Sequence, residues 1–277
     1  MHYRIFVVVF SCLFGLVISK SQQPSPQEPN VIFDGNKAFS QEELRNAADE
    51  CFRKLPNSRH NEPNVLEYCL RRVKFYLNSK GYLQAVVSPP REDNIEGARI
   101  LVIPIEEGLR YRLGEIRITG SKVFSPAQLI EMSPLKSGDI VDGDALADWL
   151  FERVKKAYAN LGYIQYAGEP EPHFRETSDE SSEGVVDFTV TIDEGEAFVV
   201  SSIKFEGNGN IPLRHLQKEM QVRPGAVYSR ERFEESIRRL NQLALFEPIV
   251  PDRDVDCQAG NKTAQLAITI RLKKRLQ

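Results

Sequence analysis

The sequence predicts an α+β protein of three tandem βααββ repeats, each a three-stranded mixed sheet covered by two helices. Three observations point there. The stretch "IEEGLRYRLGEIRITG" (105–120) returns as "IDEGEAFVVSSIKFEG" (192–207), 87 residues downstream, in the same order and without a gap. A further copy lies upstream at an offset of 81, placing Asn61 on Asp142 and Gly81-Tyr82 on Gly162-Tyr163. Between these anchors the apolar period switches from two to helical and back to two. Self-similarity at a fixed period marks a repeat array. About 80 residues suffice for a small sheet with helices on one face. The division reads 1–21 signal peptide, 22–30 linker, and repeats over 31–108, 109–195 and 196–275.

The first repeat opens with "VIFDG" (31–35) as strand and turn. Ser40 and Glu43 form a capping box for a short helix. Leu66, Cys69, Leu70, Val73 and Leu77 mark the buried stripe of a longer one. "YLQAVVS" (82–88) and "ARILVIPIE" (98–106) are β-rich runs joined by a polar loop with Pro89-Pro90. In the second repeat "YRLGEIRITG" opens, Ser125-Pro126 starts a short helix, and Leu146, Leu150, Val154 and Leu161 face the core. "YIQYA" and "VVDFTVTIDEG" close it. The loop between them, "GEPEPHFRETSDESSEG" (168–184), carries six acids and one arginine and reads as a solvated insertion. In the third repeat "FVVSSIKFEG" opens. Phe233, Ile237, Leu240 and Ala244 mark the long helix, and "LFEPIV" and "AQLAITIRL" are the closing strands.

The first residues read as export machinery. "MHYR" is a small positive region, and the apolar run over 5–19 is shorter than the roughly 20 residues of a membrane-spanning helix. Ser19-Lys20-Ser21 supplies a cleavage site. Cleavage removes Arg4 and Lys20 and no acid, leaving 34 bases against 39 acids. That balance argues against a nucleic-acid partner, which favours a concentrated positive field.

Enzymatic chemistry has little to stand on. His2, His60, His173 and His215 lie far apart and outside metal-ligand spacing, and neither a nucleophile elbow nor a Walker loop occurs. No cofactor, catalytic residue or metal ligand is expected. The acid pairs Glu106/Glu107 and Asp193/Glu194 read as solvated carboxylates flanking Gly108 and Gly195, the expected inter-repeat hinges, where glycine permits unusual backbone angles. Cys51 lies after the first short helix and Cys69 in the apolar stripe of the second, and either a disulfide or two separately buried thiols fits that placement. Cys257 falls in a polar loop, where an exposed thiol and an intermolecular bond are both open.

The βααββ order, the "GY" before the second strand, the "EEG/DEG" turn after the third and the glycine turn after the first resemble POTRA repeats. These are the polypeptide-transport-associated modules of BamA/TamA-type outer-membrane assembly proteins, and the resemblance covers residues 31–275. It implies an exported, non-enzymatic scaffold in the periplasm, associated with the outer membrane, that binds polypeptides or docks assembly and secretion components. A structural adaptor linking folded envelope proteins is the alternative. By the same resemblance the second strand of each repeat lies at a sheet edge, where a client strand can pair. The expected pairing residues are Tyr82, Leu83, Gln84, Ala85 and Val86, and Tyr163, Ile164, Gln165 and Tyr166. In the third repeat Pro248 and Pro251 would remove donors, so pairing is expected to favour the first two. A β-barrel follows the last repeat in that family, whereas this sequence reaches Gln277 where one would begin. Either the array stands free in the periplasm or the barrel is lost or separately encoded, and in the last case a separate barrel protein is a partner. The basic run "RLKKR" (271–275) offers a contact for an anionic membrane surface.

Overall fold

The computed structural model describes residues 30–48, 51–52, 63–95, 98–176, 183–260 and 263–275. The expected signal over 1–21 lies outside them. The first repeat comprises β1 (Asn30–Asp34), α1 (Gln41–Ala47), α2 (Pro63–Ser79), β2 (Val86–Val87), β3 (Arg91–Ile95) and β4 (Ala98–Glu106). The second comprises β5 (Arg110–Thr119), α3 (Pro126–Glu131), α4 (Gly143–Asp148), a wide π turn over Trp149–Val154, α5 (Lys155–Asn160), β6 (Ala167–Glu176) and β7 (Glu183–Asp193). The third comprises β8 (Val199–Glu206), α6 (Leu213–Glu219), α7 (Arg230–Gln242), α8 (Pro251–Asp254), β9 (Val255–Ala259) and β10 (Gln265–Arg271).

Each repeat places its last strand in the centre of a mixed sheet. β4 runs parallel to β1 and antiparallel to β2 and β3. β7 lies between parallel β5 and antiparallel β6, and β10 between parallel β8 and antiparallel β9. Alternation decides which face is covered. Val186, Phe188, Val190 and Ile192 are buried along β7 while the residues between them face outward. The short helices begin where the sequence supplies caps. Ser40 Oγ accepts the Glu43 amide at 3.2 Å and the Glu43 carboxylate accepts the Ser40 amide at 2.7 Å. Ser125 and Gln128 repeat that exchange on α3.

Three separate cores result. In the second, Trp149 is fully buried and its indole N–H donates to the Leu129 carbonyl at 2.9 Å, which ties the long helix to α3. A buried aromatic of this size stabilises a small domain by about 3–5 kcal/mol relative to alanine. All three cores share one backbone constraint. An added Cβ on Gly35, Gly120 or Gly207 would lie 2.4, 2.2 or 2.2 Å from the carbonyl oxygen of Ile105, Ile192 or Leu272. Only glycine lets the chain leave its first strand so close to the end of the central one.

Several expected elements are displaced. The strand over 82–88 shrinks to Val86–Val87 and resumes as β3, inside the expected polar loop. Val87 pairs with Ile105 and Arg91 with Val102, so Pro89-Pro90 adds one residue opposite Ile103 and makes a bulge in a single edge strand. The acidic run expected as an insertion is mostly β6, paired with β7 along all 10 of its residues. Its composition misleads because an edge strand needs only one apolar anchor: Phe174 packs on Tyr111 with ring centroids 4.7 Å apart. The "LFEPIV" strand is absent. Only Phe246 forms a bridge there, to Lys274, and the edge strand is β9, which includes Cys257. Leu161 is 45% exposed, not core, because α5 ends at Asn160 and the stripe runs from Val154 to Tyr158. Ala244 likewise lies beyond the end of α7, exposed, with φ +53°.

Candidate functional site

The residues expected to pair with a client are mostly helix stops. The Tyr82 amide reaches back to the Leu77 carbonyl and the Gly81 amide to Asn78, each at 3.1 Å. The Tyr163 and Gly162 amides do the same to Tyr158 and Ala159 at 3.0 and 3.3 Å. With φ near +92° and +93° at the glycines, this is the paired closure that ends a helix in a left-handed residue. The "GY" signal therefore caps a helix and does not open a strand.

The rest of each expected edge is occupied. Tyr82 packs edge-on to Phe39, and Ala85 is buried. Leu83 packs against the core of the second repeat, and Ile164 against that of the third. Gln84 accepts the Tyr111 hydroxyl across the first junction. Tyr166 stacks on Tyr158 with centroids 4.8 Å apart. Gln165 sits beside Gly195: an added Cβ there would lie 3.1 Å from the Gln165 Cβ. Of the named residues only Val86 lies in a strand.

Each sheet has two edges. On the first-strand side, Gln41 and Arg45 side chains bond the backbone of β1, and Ile140 and Val227 bridge to β5 and β8. The other edges, β2/β3, β6 and β9, are the more open. Proline falls on them differently from expectation. Pro170 and Pro172 lie within β6. Pro248 and Pro251 precede β9, which contains none. The premise that disfavoured the third repeat is thereby removed.

The acid pairs resolve into two unlike halves. Glu106 and Asp193 are exposed, but Glu107 and Glu194 are buried, correcting the expectation of solvated carboxylates. Glu107 accepts the amides of Lys37 and Ala38 at 2.9 and 3.0 Å. Glu194 accepts those of Lys122 and Val123 at 2.7 and 2.8 Å, together with the Tyr158 hydroxyl at 2.8 Å. Each carboxylate thus clamps the turn between first strand and short helix. Burial alone would raise the Glu194 pKa, but the two amides and the phenol outweigh it and leave the group below its ordinary value. Burial drives the Tyr158 phenol up, and burial alone pushes Tyr166 to about 12. In the third repeat Lys274 occupies the corresponding place. The turn there closes on itself instead, with the Ile211 amide on the Asn208 carbonyl at 3.0 Å. The sequence signal was available: the second acid is Glu in both copies while the first varies.

The junctions are more than the hinge glycines. Gly108 and Gly195 have φ +71° and +64° and connect β4 to β5 and β7 to β8. Beside them the Gly81 carbonyl accepts the Tyr111 amide and the Gly162 carbonyl the Phe198 amide, both at 2.9 Å. Ile140 covers Gly81 and Val227 covers Gly162, each 2.7 Å from where a Cβ would stand. Cys51 and Cys69 are joined by a disulfide with Cα atoms 5.6 Å apart, and Cys257 is a free, exposed thiol. Among the described residues no group of three or more His, Cys, Asp or Glu is placed to hold a metal ion. Among them, too, no helix is long and apolar enough to cross a membrane.

A parallel first strand, two helices on one face and a central last strand, repeated three times, define a tandem array of small mixed-sheet modules. The chain belongs to the POTRA family, described as a surface antigen variable number repeat, which it matches over residues 29–108, 111–195 and 198–275. A Treponema pallidum (strain Nichols) protein, whose name assigns it provisionally to the outer membrane protein assembly factors, is 28% identical over 246 residues. That match covers 86% of this chain and 29% of the relative. The outer membrane protein assembly factor BamA of Nitratidesulfovibrio vulgaris is 24% identical over 222 residues, covering 76% of this chain and 26% of that one. The chain thus spans under a third of either relative. The crystal structure of Haemophilus influenzae BamA POTRA domains 3–5 superposes with a TM-score of 0.69 at 22% identity, covering 89% of this chain and 95% of that one. That likeness is one of fold.

Proposed function

We propose that the chain is a non-enzymatic scaffold of outer-membrane protein assembly that binds polypeptides and docks partners in the periplasm. The observation that carries the reading is the repeated open edge: β2/β3, β6 and β9 each pair with a central strand on one side only. An extended client adds to such an edge through main-chain hydrogen bonds with little demand on its own sequence. The names of the relatives, assembly factors of the outer membrane, support the setting. The exposed Lys274 and Arg275 suit contact with an anionic membrane surface, Lys273 being paired with Asp254 at 3.4 Å.

The edges differ in capacity. Pro170 and Pro172 are two apart, so their missing N–H groups fall on one side of β6. The register to β7 continues past both, and proline in an edge strand keeps that side to solvent. β6 therefore offers its outer edge with two donors gone. β2 is two residues long and stops at a bulge. β3 and β9, five residues each without proline, are the most complete templates.

Titrating a labelled, urea-diluted barrel protein into the purified chain and following its fluorescence anisotropy tests this. Saturable binding that a folded barrel does not reproduce is expected. Absence of any affinity for the unfolded form, with tight capture of one folded envelope protein, would replace client binding by the adaptor role.

A further inference from the structure

We propose that the solvent face of α2 is a docking surface for the acidic surface of a folded partner protein. Tyr68, Arg71, Arg72 and Phe75 follow the i, i+3, i+4, i+7 spacing that aligns side chains along one stripe of a helix. Cys69, Val73 and Leu77 bury the opposite face, so this stripe contributes nothing to the core. Tyr68 is 51% and Phe75 56% exposed, and both arginines are exposed between them. Aromatic and arginine side chains are the types that carry most of the binding energy at protein interfaces.

The bases on this face are not tied into ion pairs, although Arg72 acts on the nearby Asp144 through space. Among the described residues Arg71, Arg72 and Lys74 form no ion pair. Among the same residues the other long helices pair most of theirs, leaving Lys155 and Arg232: Arg153 with Asp148, Lys156 with Glu234, and Arg230, Arg238 and Arg239 with Glu234 and Glu235. The acids near the stripe are Glu67 on α2 itself, and Glu43 and Asp144, which line a cleft of about 370 Å³ beside Arg72 and Phe75. That arrangement leaves the two guanidiniums as outward forks for carboxylates. The cleft next to Phe75 has room for one apolar side chain and repels a second acid. A lipid surface fits less well, because a membrane-lying helix needs a broad apolar face and that of α2 is already spent on the core.

A photoreactive benzoylphenylalanine placed at position 68 or 75 of the full chain, in cells that make it, tests the proposal. Cross-linking to a single protein through an acidic segment is expected, with mass spectrometry locating the site. The purified partner should lose about tenfold or more in affinity to Arg71→Glu/Arg72→Glu, weaken with salt, and recover when its own acids are reversed. Cross-links only to lipid, none at either position, or an affinity indifferent to charge reversal would overturn it. So would binding to phosphatidylglycerol vesicles that the double variant abolishes. Client pairing at the sheet edges should persist in that variant, so failure here leaves the scaffold reading standing.

Discussion

The Tyr158 hydroxyl donates to Glu194 at 2.8 Å, and the same carboxylate oxygen takes the amides of Lys122 and Val123. One side chain therefore fastens the long helix, the last strand and the turn after the first strand. Removing it leaves a buried phenol and two partly buried amides without an acceptor. Glu194→Ala is expected to destabilise the second repeat by about 2–4 kcal/mol, and Tyr158→Phe by about 1 kcal/mol. Urea unfolding of both variants and of the double variant checks this, with the pair expected to couple and not to add.

The same carboxylate sets a pH dependence. Its folded pKa lies below its ordinary value of 4.5, so its contribution is fully present above that value. It is lost as the pH falls through the depressed folded value. Other lowered acids, among them Asp187 and Asp254, slope the wild-type curve in the same sense. The informative quantity is therefore the difference between wild type and Glu194→Gln. The gap in urea midpoint is expected to be widest at about pH 7 and to narrow below about pH 4. A constant gap would assign the effect to shape alone.

Glycine at the end of the first strand is required by contact as well as by angle. Gly120→Ala meets the Ile192 carbonyl oxygen at 2.2 Å, whereas Gly138, with similar φ, has nothing within 4 Å of a Cβ. Gly138→Ala should cost about 1 kcal/mol from backbone strain, and Gly120→Ala distinctly more. Thermal unfolding of the two variants separates the terms.

The disulfide acts on the first repeat. Cys51 and Cys69 are separated by 18 residues, and closing a loop of that size stabilises by about 3 kcal/mol. Cys51→Ala/Cys69→Ala should lower the unfolding midpoint of that repeat and leave hydrogen exchange in β7 and β10 unchanged.

Sequence periodicity located what packing dictates and missed what pairing dictates. The β7 alternation, the α2 stripe and the Ser40 capping box are local patterns and appear where their residues predict. The edge strands are not local. β6 has one apolar anchor and two prolines, β9 reads "VDCQA", and only the ladder with a neighbour makes either a strand. Conversely, "GYLQ" and "GYIQ" have strand-like composition, but their glycines end helices, their tyrosines pack within their own repeats, and Leu83, Ile164 and the glutamines fill the junctions. The buried glutamates hid for a similar reason, since a carboxylate beside glycine reads as surface until the turn it clamps is folded onto it.

Amide hydrogen exchange with and without an unfolded barrel protein bears most directly on the central claim, that open strand edges receive the client. Amides of β3 and β9 are expected to gain the most protection, those of β6 less, and those over 82–85 and 163–166 none. Protection confined to helix faces, or absent from every edge strand under saturating client, would contradict it.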